Sequence, residues 1–204
     1  MTLQEQAPQA PTATSRFAWA RRLGVAALAG GIAGLVAGGI GGRLFMLVLA
    51  RLNPRATGVL SDDGFIMGRF TAAGTLNLLL AGTIFGVIGG LVWVAIRGLR
   101  FGPVWWRRVS MPLGATLVIG SMMVHSDGVD FVLLDPPLVA VALTLSIPLL
   151  ATILVTWLGD RWIGSDQTFW QRMPTTVAWI ARAALTLLAA VALVNLVINT
   201  SRVL

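Results

Sequence analysis

The sequence of 204 residues contains no cysteine, lysine or tyrosine, and it has one histidine and few charged residues. Without cysteine, disulfides, thiol nucleophiles and cysteine-ligated metals or clusters are excluded. The single histidine, His125, excludes a metal site built from several histidines. Charged residues make up 11% of the chain and hydrophobic residues 56%, whereas soluble domains are about a quarter charged. The composition therefore predicts a membrane protein.

Five apolar stretches approach the length of about 20 residues that a helix needs to cross the hydrocarbon core. They are too long and too weakly alternating for barrel strands, so the sequence predicts an all-α, polytopic transmembrane helical bundle. The predicted spans are residues 23–50, 72–96, 111–124, 138–158 and 176–198. Because the third of these is short, the alternative is four spans plus a short or re-entrant helix at that position.

The remaining segments flank this single transmembrane domain, residues 16–204. Residues 1–15 are polar and rich in proline and alanine, which indicates a disordered tail. Residues 160–174 mix aromatic and polar side chains, and we expect this segment to lie along the membrane surface.

All fifteen basic residues are arginines, and they cluster beside the apolar stretches. This placement is typical of membrane topology, so we expect no nucleic-acid binding. If the N-terminus is cytoplasmic, the cytoplasmic side receives ten arginines, namely Arg16, Arg21, Arg22, Arg97, Arg100, Arg107, Arg108, Arg161, Arg172 and Arg182. The outer side receives four, namely Arg51, Arg55, Arg69 and Arg202. The positive-inside rule therefore favours a multi-pass plasma-membrane protein with a cytoplasmic N-terminus.

Glycines recur at every fourth position in the first two spans. They are Gly30, Gly34, Gly38 and Gly42 in the first span, and Gly82, Gly86 and Gly90 in the second. Small residues at this spacing form a stripe on one side of a helix and allow two helices to approach closely in lipid. We expect the two spans to pack on each other through these stripes. Self-association through the same stripes and a glycine-lined pore are the alternatives.

Arg43 is a charged residue within the first span, seven apolar residues before Arg51. It would lie roughly 12 Å inside the outer boundary, where a cation faces protein or water or extends its side chain to the headgroups. An outward-facing polar pocket around Arg43 is one interpretation; snorkelling and a buried structural ion pair are the others. The other candidate pocket residues are Asn77, His125, Asp127, Asp130, Asp135 and Asn195.

The sequence contains no recognisable catalytic constellation. His125 and Asp127 supply only two potential metal ligands, and no serine has a base and an acid at a familiar spacing. We therefore expect a non-enzymatic protein without cofactor or metal, whose surroundings are the lipid bilayer. The favoured function is an accessory or self-associating subunit, in a homo-oligomer or with another membrane protein. The alternative is a small transporter or channel that uses the pocket around Arg43.

Several short motifs resemble a group of small uncharacterised multi-pass membrane proteins from bacteria such as actinobacteria. The motifs are Gly42-Arg43-Leu44-Phe45-Met46, Asn53-Pro54, Asp63-Gly64-Phe65 and Leu134-Asp135-Pro136-Pro137. The resemblance covers about residues 24–160 and implies the same helical fold in a bacterial plasma membrane, with no assigned activity. It also implies that Arg43 and the Asp-Pro-Pro element (residues 135–137) recur together in this group.

Overall fold

The computed structural model describes residues 13–56, 58–59, 71–125, 135–164 and 169–203. Throughout these residues the regular secondary structure is helical and contains no strand, which confirms the predicted all-α bundle. Four helices are long and apolar enough to cross a membrane, namely Phe17–Leu52, Ala72–Leu99, Pro137–Ile163 and Thr175–Val203. The chain is therefore a multi-pass membrane protein.

The first of these helices consists of three consecutive parts. Helix α1 (Ala13–Gly34) continues through a π-helical segment (Leu35–Gly41) into α2 (Gly42–Leu52). It begins inside the predicted tail 1–15, of which residues 1–12 lie outside the described part of the chain. It ends where Asn53 donates a hydrogen bond from Nδ2 to the carbonyl oxygen of Leu49 (3.1 Å) and a proline follows. A proline disfavours helical geometry in the residue before it, so this end follows from the sequence.

Helix α3 (Ala72–Ile96) coincides with the second predicted span. Thr71 precedes it and accepts a hydrogen bond at Oγ1 from the backbone N–H of Gly74 (3.2 Å), which caps the helix N-terminus. A single 3₁₀ turn, Arg97–Leu99, follows the helix. Both ends of α3 thus lie where the sequence changes character, after the capping residue Thr71 and before the charged residue Arg97.

Helix α4 (Val104–Met123) begins seven residues before the predicted third span, 111–124. The prediction excluded Arg107 and Arg108, but a helix does not stop at the hydrocarbon boundary, and both arginines lie within its first turns. At 20 residues, α4 is about 30 Å long. It is not among the four apolar candidates for a membrane span.

Helices α5 (Pro137–Ile163) and α6 (Thr175–Val203) complete the bundle, and both extend past the predicted spans 138–158 and 176–198. The first four residues of the predicted surface segment 160–174 belong to α5. Helix α5 ends at Gly164, whose φ of 68° is a left-handed conformation that favours glycine. Residues 165–168 lie outside the described part, and a 3₁₀ turn at Phe169–Arg172 precedes α6.

The helices alternate in direction, and two apolar clusters mark the two ends of the bundle. One cluster joins the start of α1 to the ends of α3 and α5 through Ala26, Trp93 and Val155. The other joins the ends of α2, α4 and α6 to the start of α5 through Leu49, Val124, Ala140 and Leu196. We call the first the arginine-rich end and the second the Asn53 end. Helix α4, like the four candidate spans, extends from one of these ends to the other.

Candidate functional site

The two glycine stripes face each other within the chain. A Cβ atom on Gly34 would lie 2.0 Å from the carbonyl oxygen of Gly82 and 2.6 Å from Cα of Gly86. A Cβ atom on Gly30 would likewise lie 2.1 Å from the carbonyl oxygen of Gly86 and 2.8 Å from Cα of Gly90. Since only glycine permits such backbone contact, α1 and α3 use these stripes to pack on each other.

The stripe changes its partner in the π-helical segment and beyond. A Cβ atom on Gly38 would lie 3.2 Å from Cα of Gly82, and one on Gly42 would lie 3.2 Å from a side-chain atom of Leu78. The glycine-to-glycine contact extends to Gly82, where a Cβ atom would lie 2.7 Å from the backbone nitrogen of Gly39, and it ends before Gly42. It is replaced there by a contact between glycine and leucine.

Arg43 is the second residue after the π-helical segment and is partly buried. Its Nε and Nη2 atoms are shielded from solvent by the surrounding protein. Because Gly42 contacts Leu78, Arg43 and the exposed side chain of Asn77 lie at a similar level of the bundle. Asp127 and Asp130, the predicted acidic partners, lie outside the described residues.

Asn53 is a buried polar residue at the Asn53 end that we did not include among the candidate pocket residues. It is 8% exposed, and its Oδ1 accepts a hydrogen bond from the backbone N–H of Asp135 (2.8 Å). It therefore ties the end of α2 to the Asp-Pro-Pro element before α5. Asp135 itself is exposed, and its backbone makes this contact. The Asn-Pro pair marked a helix end, but its partner is 82 residues away in the chain.

A second polar contact at this end joins α6 to α4. Asn199 donates from Nδ2 to the carbonyl oxygen of Val124 (3.0 Å), at the C-terminus of α4, and also lies 3.3 Å from Oδ1 of Asn195. His125 follows Val124, is exposed, and has its Nδ1 3.0 Å from the carbonyl oxygen of Met123. The predicted residues His125 and Asn195 are thus near each other through Asn199.

A shallow groove of about 470 Å³ lies on α6 and is open to the surroundings. Its lining residues are Ala190, Val191, Val194, Asn195 and Ile198. Of the predicted pocket residues that the structure describes, only Asn195 borders it, whereas Arg43, Asn77 and His125 do not. The groove is thus a feature of an outer helix surface and is separate from the level of Arg43.

The arginine-rich end is held together by contacts that the sequence did not reveal. Arg100 forms a bidentate pair with Asp160, with both nitrogen–oxygen distances 2.8 Å. Arg97 is 7% exposed, donates from Nη2 to the carbonyl oxygen of Gly164, and has its guanidinium carbon 5.2 Å from the centre of a Trp93 ring. These arginines join the end of α3 to the end of α5. Their charges were predictable, but their partners depend on the fold.

Arg182 joins the start of α6 to the bundle by contacts of the same kind. It donates from Nε to the carbonyl oxygen of Leu99 (3.1 Å), and its guanidinium carbon lies 5.0 Å from the Trp179 ring centre and 5.9 Å from that of Phe101. Trp170 adds a bond from Nε1 to the carbonyl oxygen of Ala95 (2.7 Å). The start of α6 is thereby fixed to the end of α3.

Fold and contacts together define the class of this protein: an all-α, multi-pass membrane protein with a glycine-packed helix pair and polar contacts at both ends. Comparison of the chain with protein-family models, with curated proteins and with solved structures gives no match. A more specific function must therefore be argued from the surfaces that the chain leaves exposed.

Proposed function

We propose that the protein is a non-enzymatic membrane subunit that self-associates through α6. The observation that carries the proposal is the groove on α6, in which an amide, Asn195, lies among apolar residues. Helix α6 is peripheral, since it packs mainly against α4 and much less against the rest of the bundle. The surface of α6 that faces away from α4 is apolar and exposed. On it, Leu187, Val191 and Val194 are each more than half exposed.

Asn195 lies seven residues before Arg202, or about 10 Å along the helix. Its Oδ1 is 3.3 Å from the Asn199 amide, while its own Nδ2 makes no hydrogen bond to the part of the chain that the structure describes. Lipid tails cover apolar side chains as well as a protein does, but they cannot accept a hydrogen bond. An amide at this depth is therefore the feature of α6 that favours a protein partner.

A second copy of the chain is the partner that fits this amide. Two copies inserted with the same orientation have parallel α6 helices, so Asn195 of one copy lies at the same depth as Asn195 of the other. An amide both donates and accepts, so the two side chains are complementary across a two-fold axis. The small side chain of Ala190, one turn away in the groove, allows the helices to approach. Such interhelical bonds contribute about 0.6–2 kcal/mol each.

Other polar contacts support a structural role rather than a catalytic one. The side chains of Asn53, Arg97, Arg182 and Asn199 all bind backbone carbonyl or N–H groups of a neighbouring segment. In the proposed orientation the arginine-rich end faces the cytoplasm of a bacterial cell and the Asn53 end faces outward.

The test compares Asn195→Leu with Asn77→Leu, which removes an exposed amide from α3 instead. Oligomeric state would be measured by fluorescence energy transfer between labelled copies in liposomes at several protein-to-lipid ratios. We expect wild type and Asn77→Leu to associate equally, and Asn195→Leu to associate about three-fold or more weakly, since one interhelical hydrogen bond is lost. Equal association of Asn195→Leu, or a wild type that stays monomeric at every ratio, would refute the proposal.

Because the chain has no cysteine, a single introduced cysteine gives an independent measurement. Val194→Cys lies in the groove, whereas Ile84→Cys lies on the exposed surface of α3. Under mild oxidation we expect a disulfide-linked dimer from the first variant and monomer from the second. Equal cross-linking of both would indicate random collision and would contradict association through α6.

A further inference from the structure

Helix α6 is fixed to the rest of the bundle at two points. Near its start, Arg182 donates from Nε to the carbonyl oxygen of Leu99 (3.1 Å), and near its end Asn199 donates to the carbonyl oxygen of Val124 (3.0 Å). These two residues are 17 positions apart, about 25 Å along the helix. The helix is thus supported at its ends by specific polar contacts.

Between these points, α6 stands away from its neighbours. All six residues from Ala183 to Leu188 are exposed. Six successive residues at about 100° each point to every side of a helix, including the side that faces the bundle. Leu185 illustrates this. It lies seven residues after Ala178 and seven before Ala192, and therefore on the same side of the helix, but it is 36% exposed whereas they are 7% and 5% exposed. A gap therefore separates the middle of α6 from the bundle.

The α6 side of the gap presents apolar residues, and a cation lies at one end. Ala184, Leu185 and Leu188 offer no hydrogen-bonding side chain to hold water, so an apolar chain fills the space better than solvent does. Arg182 precedes the gap, and the rings of Trp179 and Phe101 flank its guanidinium group. Its Nη1 and Nη2 atoms make no hydrogen bond to the described residues, and a guanidinium group matches the geometry of a phosphate.

We propose that one phospholipid binds between α6 and the bundle, with its phosphate on Arg182 and an acyl chain along Ala183–Leu188. This site is separate from the Asn195 groove. The phosphate has opposite charge to Arg182, and an acyl chain is apolar like the side chains of Ala184, Leu185 and Leu188.

The first experiment counts the phospholipid that copurifies with the chain in detergent, by native mass spectrometry and phosphorus analysis. We expect about one tightly held phospholipid per wild-type chain. Arg182→Gln should bind phospholipid about tenfold more weakly, as expected for losing a charge-assisted hydrogen bond. The control is Arg161→Gln, an exposed arginine at the same end with no hydrogen bond to the described residues, and it should keep the lipid. A wild type without bound phospholipid, or equal loss in both variants, overturns the proposal.

A second experiment needs no substitution and therefore does not depend on how a variant folds. A phospholipid with a photoreactive group midway along one acyl chain is incorporated, unbound lipid is removed by detergent exchange, and the cross-linked peptides are identified. We expect modification concentrated within residues 183–190. Modification spread equally over the exposed surface of α3 would show ordinary boundary lipid only and would overturn the site. A retained apolar molecule without phosphate would overturn the role of Arg182.

Discussion

Gly34→Ala tests the packing of α1 on α3, because it adds one methyl group at the tightest point of the interface. The new Cβ would lie 2.0 Å from the carbonyl oxygen of Gly82 and 2.6 Å from Cα of Gly86. Carbon–oxygen contacts are normally about 3.3 Å or longer, so the two helices must separate by roughly 1.3 Å at this level. Both neighbouring atoms belong to the backbone, and no rotamer change relieves the contact.

Separation at Gly34 also opens the contacts on either side of it, since Gly30 and Gly38 lie on the same stripe. Overpacking by a single methyl group typically destabilises a protein by about 1–3 kcal/mol. Alanine favours the helix over glycine by up to about 1 kcal/mol in water, which acts in the opposite direction. We therefore expect a net loss of about 1–2 kcal/mol in the free energy of unfolding.

Two control variants isolate the contact from helix propensity. Gly24→Ala in α1 and Gly89→Ala in α3 add the same methyl group where no atom lies within 4 Å. Unfolding in mixed detergent micelles, followed by tryptophan fluorescence, gives the free energy for each variant. Both controls should be as stable as wild type or slightly more so. If Gly34→Ala matches them, the helices do not approach as closely as described and the packing argument is wrong.

Three further experiments test the polar contacts and the orientation. Asn199→Leu leaves the C-terminus of α4 without its hydrogen bond, and unfolding in micelles should show a loss of about 1 kcal/mol. Arg100→Gln breaks the pair with Asp160, whose side chain is 39% exposed, so the loss should be at most about 1 kcal/mol and smaller in high salt. Single cysteines at Val104 and Val203 should react with an impermeant thiol reagent from opposite sides of the membrane, and labelling from one side would contradict the alternation of helix directions.

Features that depend on neighbouring residues in the sequence were predictable. The bounds of α3 follow from Thr71, whose side chain caps the helix, and from the change to arginine at Arg97. The glycine stripes follow from a spacing of four, which places small residues on one side of a helix. The pairing of the two stripes was also expected, because close approach in lipid requires small residues on both helices.

Polar contacts between residues that are distant in the sequence were not predictable. Asn53 binds Asp135 across 82 positions, and Arg97 binds Gly164 across 67. Asparagine and arginine offer several donors and accept many partners, so composition alone does not select among them. The early start of α4 was missed for a different reason: the charges at Arg107 and Arg108 mark the edge of the apolar stretch, and helical hydrogen bonding continues beyond that edge.

A comparison of α3 with α6 explains why we place the proposed partner on α6. In each of these helices only 11% of the most apolar 18-residue stretch is buried, so both helices present most of their surface to the surroundings. The exposed surface of α3 has one amide, Asn77, near the start of the helix, and beyond it consists of large apolar residues such as Ile84, Phe85 and Ile88, which lipid tails satisfy completely. Helix α6 has an amide in a groove on one side and a gap beside an arginine on the other. Because lipid tails satisfy neither an amide nor a cation, we proposed a second copy of the chain at the first position and a phospholipid phosphate at the second.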